Sequence, residues 1–111
     1  MSVASTIEVI ADSSRRRILD ELRGGELPVN TLVERLAMSQ PAVSKHLRAL
    51  RERGLVTVRP DGQRRLYSVR PQPFIELDGW LEPYRTMWRD SLDKLEEHLT
   101  ETRPAPGGKQ Q

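Results

Sequence analysis

Hydrophobic residues recur along this chain at helical spacing in four short segments, then at strand spacing, then at helical spacing again. Val3, Ile7 and Ile10 fall at i, i+4 and i+7, which predicts a first helix over about 3–11. In "DSSRRRILDELRGG", Ile18, Leu19 and Leu22 form an apolar face. Asp12, Ser13 or Ser14 can cap that helix, and Gly24-Gly25 ends it. In "LPVNTLVERLAM", Leu32, Val33 and Leu36 repeat the pattern, with Asn30 as the expected N-cap and Pro28 keeping the preceding chain extended. The fourth segment, "SQPAVSKHLRALRERG", has Ser39 to cap its start and Pro41 in its first turn, where a missing N–H costs little. Val43, Leu47 and Leu50 are its seam, and Gly54 can close it in the left-handed conformation.

The period then changes. "LVTVRPDGQRRLYSV" is rich in β-branched residues around Asp61-Gly62, a hairpin signal. If those two residues are the turn, Arg59 faces Arg64 across the strands, and like charges so placed repel. A longer loop would separate them. From Pro73 to about Thr102 the pattern is helical. Leu81, Tyr84, Trp88, Leu92, Leu95 and Leu99 advance by 3, 4, 4, 3 and 4, the period of a straight α-helix. Pro83 predicts a division into a short helix over about 73–78 and a longer one over about 83–102. The Pro/Gly-rich "RPAPGGKQQ" at 103–111 reads as a disordered tail. The expectation is one mainly α domain over 1–102.

Composition sharpens this. A chain of 111 residues with 36% hydrophobic positions has a thin core and gains burial by oligomerising. It has no cysteine, which excludes disulfides, thiolate metal sites and a cysteine nucleophile. No apolar run approaches a membrane span, and the N-terminus lacks the pattern of a signal peptide, so a soluble cytoplasmic protein is expected. The net charge of +2 is unevenly spread. Residues 40–70 carry 8 basic and 2 acidic side chains, and residues 71–111 carry 5 and 8. A compact basic block points to a polyanion.

Helix, short turn, capped helix and basic hairpin together make a winged helix-turn-helix, whose second helix enters the DNA major groove. Its leading residues are Ser39, Gln40, Pro41 and Ala42; Gln can pair with adenine, and Pro or Ala can touch a thymine methyl. Ser44, Lys45 and Arg48 lie opposite the apolar seam and suit phosphate or guanine. Arg59, Arg64 and Arg65 would give the wing its contacts with the flanking backbone or minor groove. His46 lies at the margin of the seam and is expected to pack there rather than read a base. The blander alternative is a solvated amphipathic helix beside a hairpin, but cap, turn, charge and hairpin all agree with the first reading.

The stretch from Ala11 to Val69 resembles the ArsR/SmtB family of bacterial winged-helix repressors, most specifically in "DSSRRRIL", "MSQPAVSKHL" and "LRERGLV". The resemblance implies a homodimer that binds an imperfect palindrome at a promoter and leaves when an inducer binds. It carries DNA contact onto Ser39, Gln40, Pro41, Ser44, Lys45 and Arg48, and adds Thr31 on the preceding helix. Many members sense metal through a Cys motif on that preceding helix, which here reads "TLVERL". On the last helix Asp90, Asp93, Glu97 and Glu101 form a row with His98 beside it. That row reads as a solvated acidic face paired with Arg89 and Lys94, so no metal and no cofactor is expected. Trp80, Leu81, Tyr84, Met87, Trp88, Leu92, Leu95 and Leu99, with Val3, Ile7 and Ile10, are the expected dimer interface. The competing reading of Trp80, Tyr84 and Trp88 is a pocket for a small-molecule inducer at that interface. Among other function classes, a protein-interaction module docking an acidic partner is the alternative. An enzyme has no support, since the two histidines lie on different helices and no phosphate loop or paired-acid motif occurs.

Overall fold

The computed structural model describes residues 2–102, so the tail expected at 103–111 lies outside the described residues. Its elements are α1 (Val3–Ile10), α2 (Ser13–Leu22), β1 (Leu27–Pro28), α3 (Val29–Leu36), α4 (Gln40–Glu52), β2 (Val56–Asp61), β3 (Arg64–Val69) and α5 (Gln72–Thr102). The strands form an antiparallel sheet in the order β1-β3-β2. This is the winged helix-turn-helix that the pattern predicts.

Two compact units divide the chain, one ending at Gly79 and one starting at Trp80. The first holds the core. Ile18, Leu19, Leu22, Leu32, Leu36, Val43, Leu47 and Leu50, the residues of the three predicted seams other than Val33, are all buried together with Val9, Leu55 and Val56. Val33 is only half-buried at its edge. α1 turns Thr6 and Val9 inward, which leaves Ile7 exposed and Val3 and Ile10 half-buried. Asp12 caps α2 by accepting from the Arg15 amide at 3.1 Å. That bond holds the Asp12 carboxyl below its ordinary value. α4 ends as expected at Gly54, with φ +78°. There the Leu55 amide donates to the Leu50 carbonyl and the Gly54 amide to the Arg51 carbonyl, the paired bonds of a Schellman motif.

Two expectations need correction, and the open choice of hairpin turn is decided. α3 begins at Val29 with Pro28 as its N-cap and no side-chain cap bond, so Asn30 lies inside the helix. The reason is β1: Leu27 and Pro28 pair with Tyr67 and Leu66, which holds the chain extended up to Pro28. The hairpin loop is Gly62-Gln63, with Asp61 opposite Arg64 and Arg59 opposite Leu66. Gly62 takes the positive φ, +63°, so Arg59 and Arg64 do not face each other, and Arg64 forms an ion pair with Asp61 at 2.8 Å. Finally, α5 runs unbroken for 31 residues with Pro83 inside it. A proline removes one backbone bond, and in so long a helix that is a local loss. Glu82 beside it takes ion pairs from Arg85 and Arg89, as helical neighbours do.

Candidate nucleic-acid interface

The reading helix is set by its turn. α3 ends at Leu36, and Ala37 adopts the left-handed conformation at φ +53°, ψ +40°. Arg17 on α2 donates from Nη2 to the Leu36 carbonyl at 2.9 Å, which satisfies an orphan acceptor at the helix end and fixes where the turn lies. Its neighbour Arg16 does the same for α1, donating to the Ile10 and Ala11 carbonyls at 2.7 and 3.0 Å. The chain then extends through Met38 to Ser39, whose Oγ accepts from the Ala42 amide at 3.2 Å. This capped start, with Pro41 in the first turn, launches α4.

One side of α4 is sealed: Val43 and Leu50 have no exposed surface and Leu47 only 1%. Ser39, Gln40, Pro41, Ser44, Lys45 and Arg48 are all exposed on the remaining surface. Arg48 pairs with Glu52 one turn on, at 3.1 Å. Among the described residues Lys45 has no ion pair. His46 is half-buried, and its Nδ1 is shut from solvent without a hydrogen-bond partner among the described residues, in keeping with packing at the core margin. Thr31 on α3 is half-buried.

The wing arginines differ from one another. Arg65 has no ion pair among the described residues. Arg64 holds Asp61, and that bond keeps the Asp61 carboxyl below its ordinary value. Arg59 is committed to Glu26, with Nε donating to both carboxylate oxygens at 3.1 and 3.0 Å and Nη2 to Oε1 at 2.6 Å. The same bonds lower the Glu26 pKa and raise that of Arg59.

Pattern reading missed two residues here. Asn30 and Gln63, with Pro28, Val29, Arg64 and Arg65, line a concavity of about 290 Å³ between the start of α3 and the wing tip. The uncapped amides of α3 and the Arg65 guanidinium favour an anion there, while Arg64 is already paired with Asp61. Only the tertiary fold brings these segments together. A second concavity, of about 450 Å³, is lined mainly by Leu19, Leu22, Arg23, Val69 and Phe74 from α2, β3 and the start of α5. It contains none of the aromatic residues from which an inducer pocket was expected.

On α5, Met87 is 61% exposed, and Trp80, Tyr84, Trp88, Leu92, Leu95 and Leu99 are exposed as well, with Leu81 half-buried. The Trp80 and Tyr84 rings meet at 5.1 Å between centroids, tilted by 40°. Asp90, Asp93, Glu97 and His98 are exposed, and the Glu101 side chain is outside the described residues. Arg89, expected to pair with that acidic row, instead reaches Glu82 at 3.4 Å. Among the described residues no three His, Cys, Asp or Glu side chains are grouped to hold a metal ion. No described helix is long and apolar enough to cross a membrane.

Residues 12–58, which hold the whole helix-turn-helix, match the family described as bacterial regulatory protein, arsR family. The HTH-type transcriptional regulator Rv2034 of Mycobacterium tuberculosis is 44% identical over 79 residues, 71% of this chain and 74% of that protein. The chain belongs to the ArsR family. NmtR, another HTH-type transcriptional regulator of M. tuberculosis, is 48% identical over 67 residues, 60% of this chain. The match spans 56% of NmtR. Among solved structures, a possible transcriptional regulator for arsenical resistance aligns with a TM-score of 0.63 and 40% identity, over 83% of this chain and 93% of that one. ArsR-family proteins are transcriptional regulators rather than enzymes. The residues matched include α3, its turn and α4 with its exposed polar face.

Proposed function

We propose that this protein is a homodimeric transcriptional repressor that acts in the cytoplasm and binds an imperfect palindrome in promoter DNA. The observation that carries the reading is the face of α4: a capped helix start presenting Ser39, Gln40, Pro41, Ser44, Lys45 and Arg48 to solvent, opposite a fully buried seam. Gln40 stands where a recognition helix meets base edges, and Lys45 is free to meet phosphate. The concavity of Asn30, Gln63, Arg64 and Arg65 supports a further phosphate contact beside Thr31. Relatives named as arsenical resistance operon repressors support repression as the outcome.

The apolar stripe of α5 supports dimerisation, because a single copy leaves Trp80, Tyr84, Met87, Trp88, Leu92, Leu95 and Leu99 in water. Two-fold symmetry would set the recognition helices about 34–36 Å apart, in successive major grooves. A small-molecule inducer would act at the same aromatic cluster, where the Trp80–Tyr84 ring pair offers it a stacking surface.

The deciding experiment is a mobility shift and footprint on promoter DNA upstream of the protein's own gene, at low and moderate salt. The expected result is protection of two half-sites one helical turn apart, weakening steeply as salt rises. No shift at low salt, with retention of an acidic protein partner instead, would reject DNA as the ligand.

A further inference from the structure

Glu26 lies just before β1, at one edge of the sheet, and Arg59 lies on β2, at the other edge. Their side chains meet across the intervening strand β3. Strands are spaced about 4.8 Å apart, so the pair bridges roughly two spacings. Leu66 on β3 is in register with both Pro28 of β1 and Arg59 of β2. Cross-strand partners share a face of the sheet, so Leu66 and Arg59 lie on the same side. Leu66 is buried, yet it is not part of the main core cluster. The hydroxyls of Thr57 and Ser68 also meet at 3.1 Å on this side.

Arg65 is different. It is in register with Pro60, one position along from the Arg59–Leu66 pair, so it points to the opposite face. It has no ion pair among the described residues, whereas both oxygens of Glu26 engage the fork of Arg59. Two of the three nitrogens of Arg59 are taken by the Glu26 carboxylate, so a phosphate would meet a guanidinium whose charge is already balanced.

We infer that Glu26 and Arg59 form a strap that fixes the wing to the edge strand, and that Arg59 is a positioning residue rather than a phosphate contact. This rests on the DNA-binding reading above and deepens it: Lys45 and Arg65 carry the charge that DNA meets, and Arg59 sets where Arg65 is held.

The test uses the full chain and the variants Arg59→Gln, Lys45→Ala and the exchanged pair Glu26→Arg with Arg59→Glu. Two quantities are read: amide hydrogen exchange across residues 56–69 in the free protein, and the salt dependence of DNA affinity. In Arg59→Gln, wing exchange should quicken by about two- to fivefold, the range for an exposed ion pair. Its salt slope should stay at the wild-type value, while Lys45→Ala should lower that slope by about one. The exchanged pair should recover both slow exchange and DNA affinity. Unchanged wing exchange in Arg59→Gln would overturn the strap. So would a slope lowered by about one in that variant, with no recovery in the exchanged pair. If the wild-type protein bound no DNA, the repressor reading would fall, while the exchange measurement would still decide the strap.

Discussion

At the scale of single residues, the exposed cations divide by what already holds them. Lys45 and Arg65 are free among the described residues, so Lys45→Ala and Arg65→Ala should each weaken binding to every DNA sequence and lower the salt slope by about one. Gln40→Ala should instead relax preference at one base pair, at about 1–3 kcal/mol for its preferred base. Titration against a set of single-base operator variants separates the two behaviours. The wing carboxylates add a pH dependence. Glu26 and Asp61 are held below their ordinary values of 4.5 and 3.8 by Arg59 and Arg64. A depressed carboxyl contributes stability that is complete above its unfolded pKa and lost as pH falls through its folded one. Wing protection against hydrogen exchange, corrected for the intrinsic rate, should therefore be level from neutrality to about pH 5 and fall in stronger acid. The outward side of α4 was legible in the sequence, because Val43, Leu47 and Leu50 fix which side is buried. The partner of Arg59 was not legible, since Glu26 lies 33 positions away and only the sheet joins them.

Among the elements, legibility followed length and periodicity. α2 and α4 carry strong apolar periods and clear caps, and their positions were readable to within a few residues. β1 has two residues and no pattern of its own; it exists because β3 offers an edge to pair with. That unseen strand also moved the N-cap of α3 from Asn30 to Pro28. Aspartate followed by glycine marked the hairpin correctly, but the register needed the Asp61–Arg64 pair to place Asp61 on the strand. In α5 the helical period of the apolar residues outweighed the single breaker. Pro83 has no N–H to offer the Gly79 carbonyl four residues earlier. Pro83→Ala should therefore raise helical content by circular dichroism and stabilise the helix by up to about 3 kcal/mol.

For the molecule as a whole, the apolar residues separate into two sets with different fates. Those in the unit ending at Gly79 are largely consumed by its own core, while those from Trp80 onward, the half-buried Leu81 apart, remain exposed. A stripe of this size on a small protein supports the proposed homodimer. Trp88→Glu with Leu95→Glu should give a monomer by sedimentation, with the fold of the first unit retained. Affinity for a palindrome should then fall to that for a single half-site. The stripe was visible in the sequence because its spacing is regular. The concavity walled by Leu19, Leu22, Val69 and Phe74 was not, because its walls come from three elements far apart in the chain.

Ala37 stands in the left-handed conformation usually left to glycine. An alanine there is strained, by about 1–2 kcal/mol, yet it samples far fewer backbone states than glycine would. The bend between α3 and α4 is thus a stiff elbow, and its disorder is removed during folding rather than on contact with a ligand. Ala37→Gly should leave every proposed DNA-contacting side chain in place and still bind with a more unfavourable entropy, measurable by calorimetry. An alanine that meets no base would in this way bring the reading head to its target already preorganised.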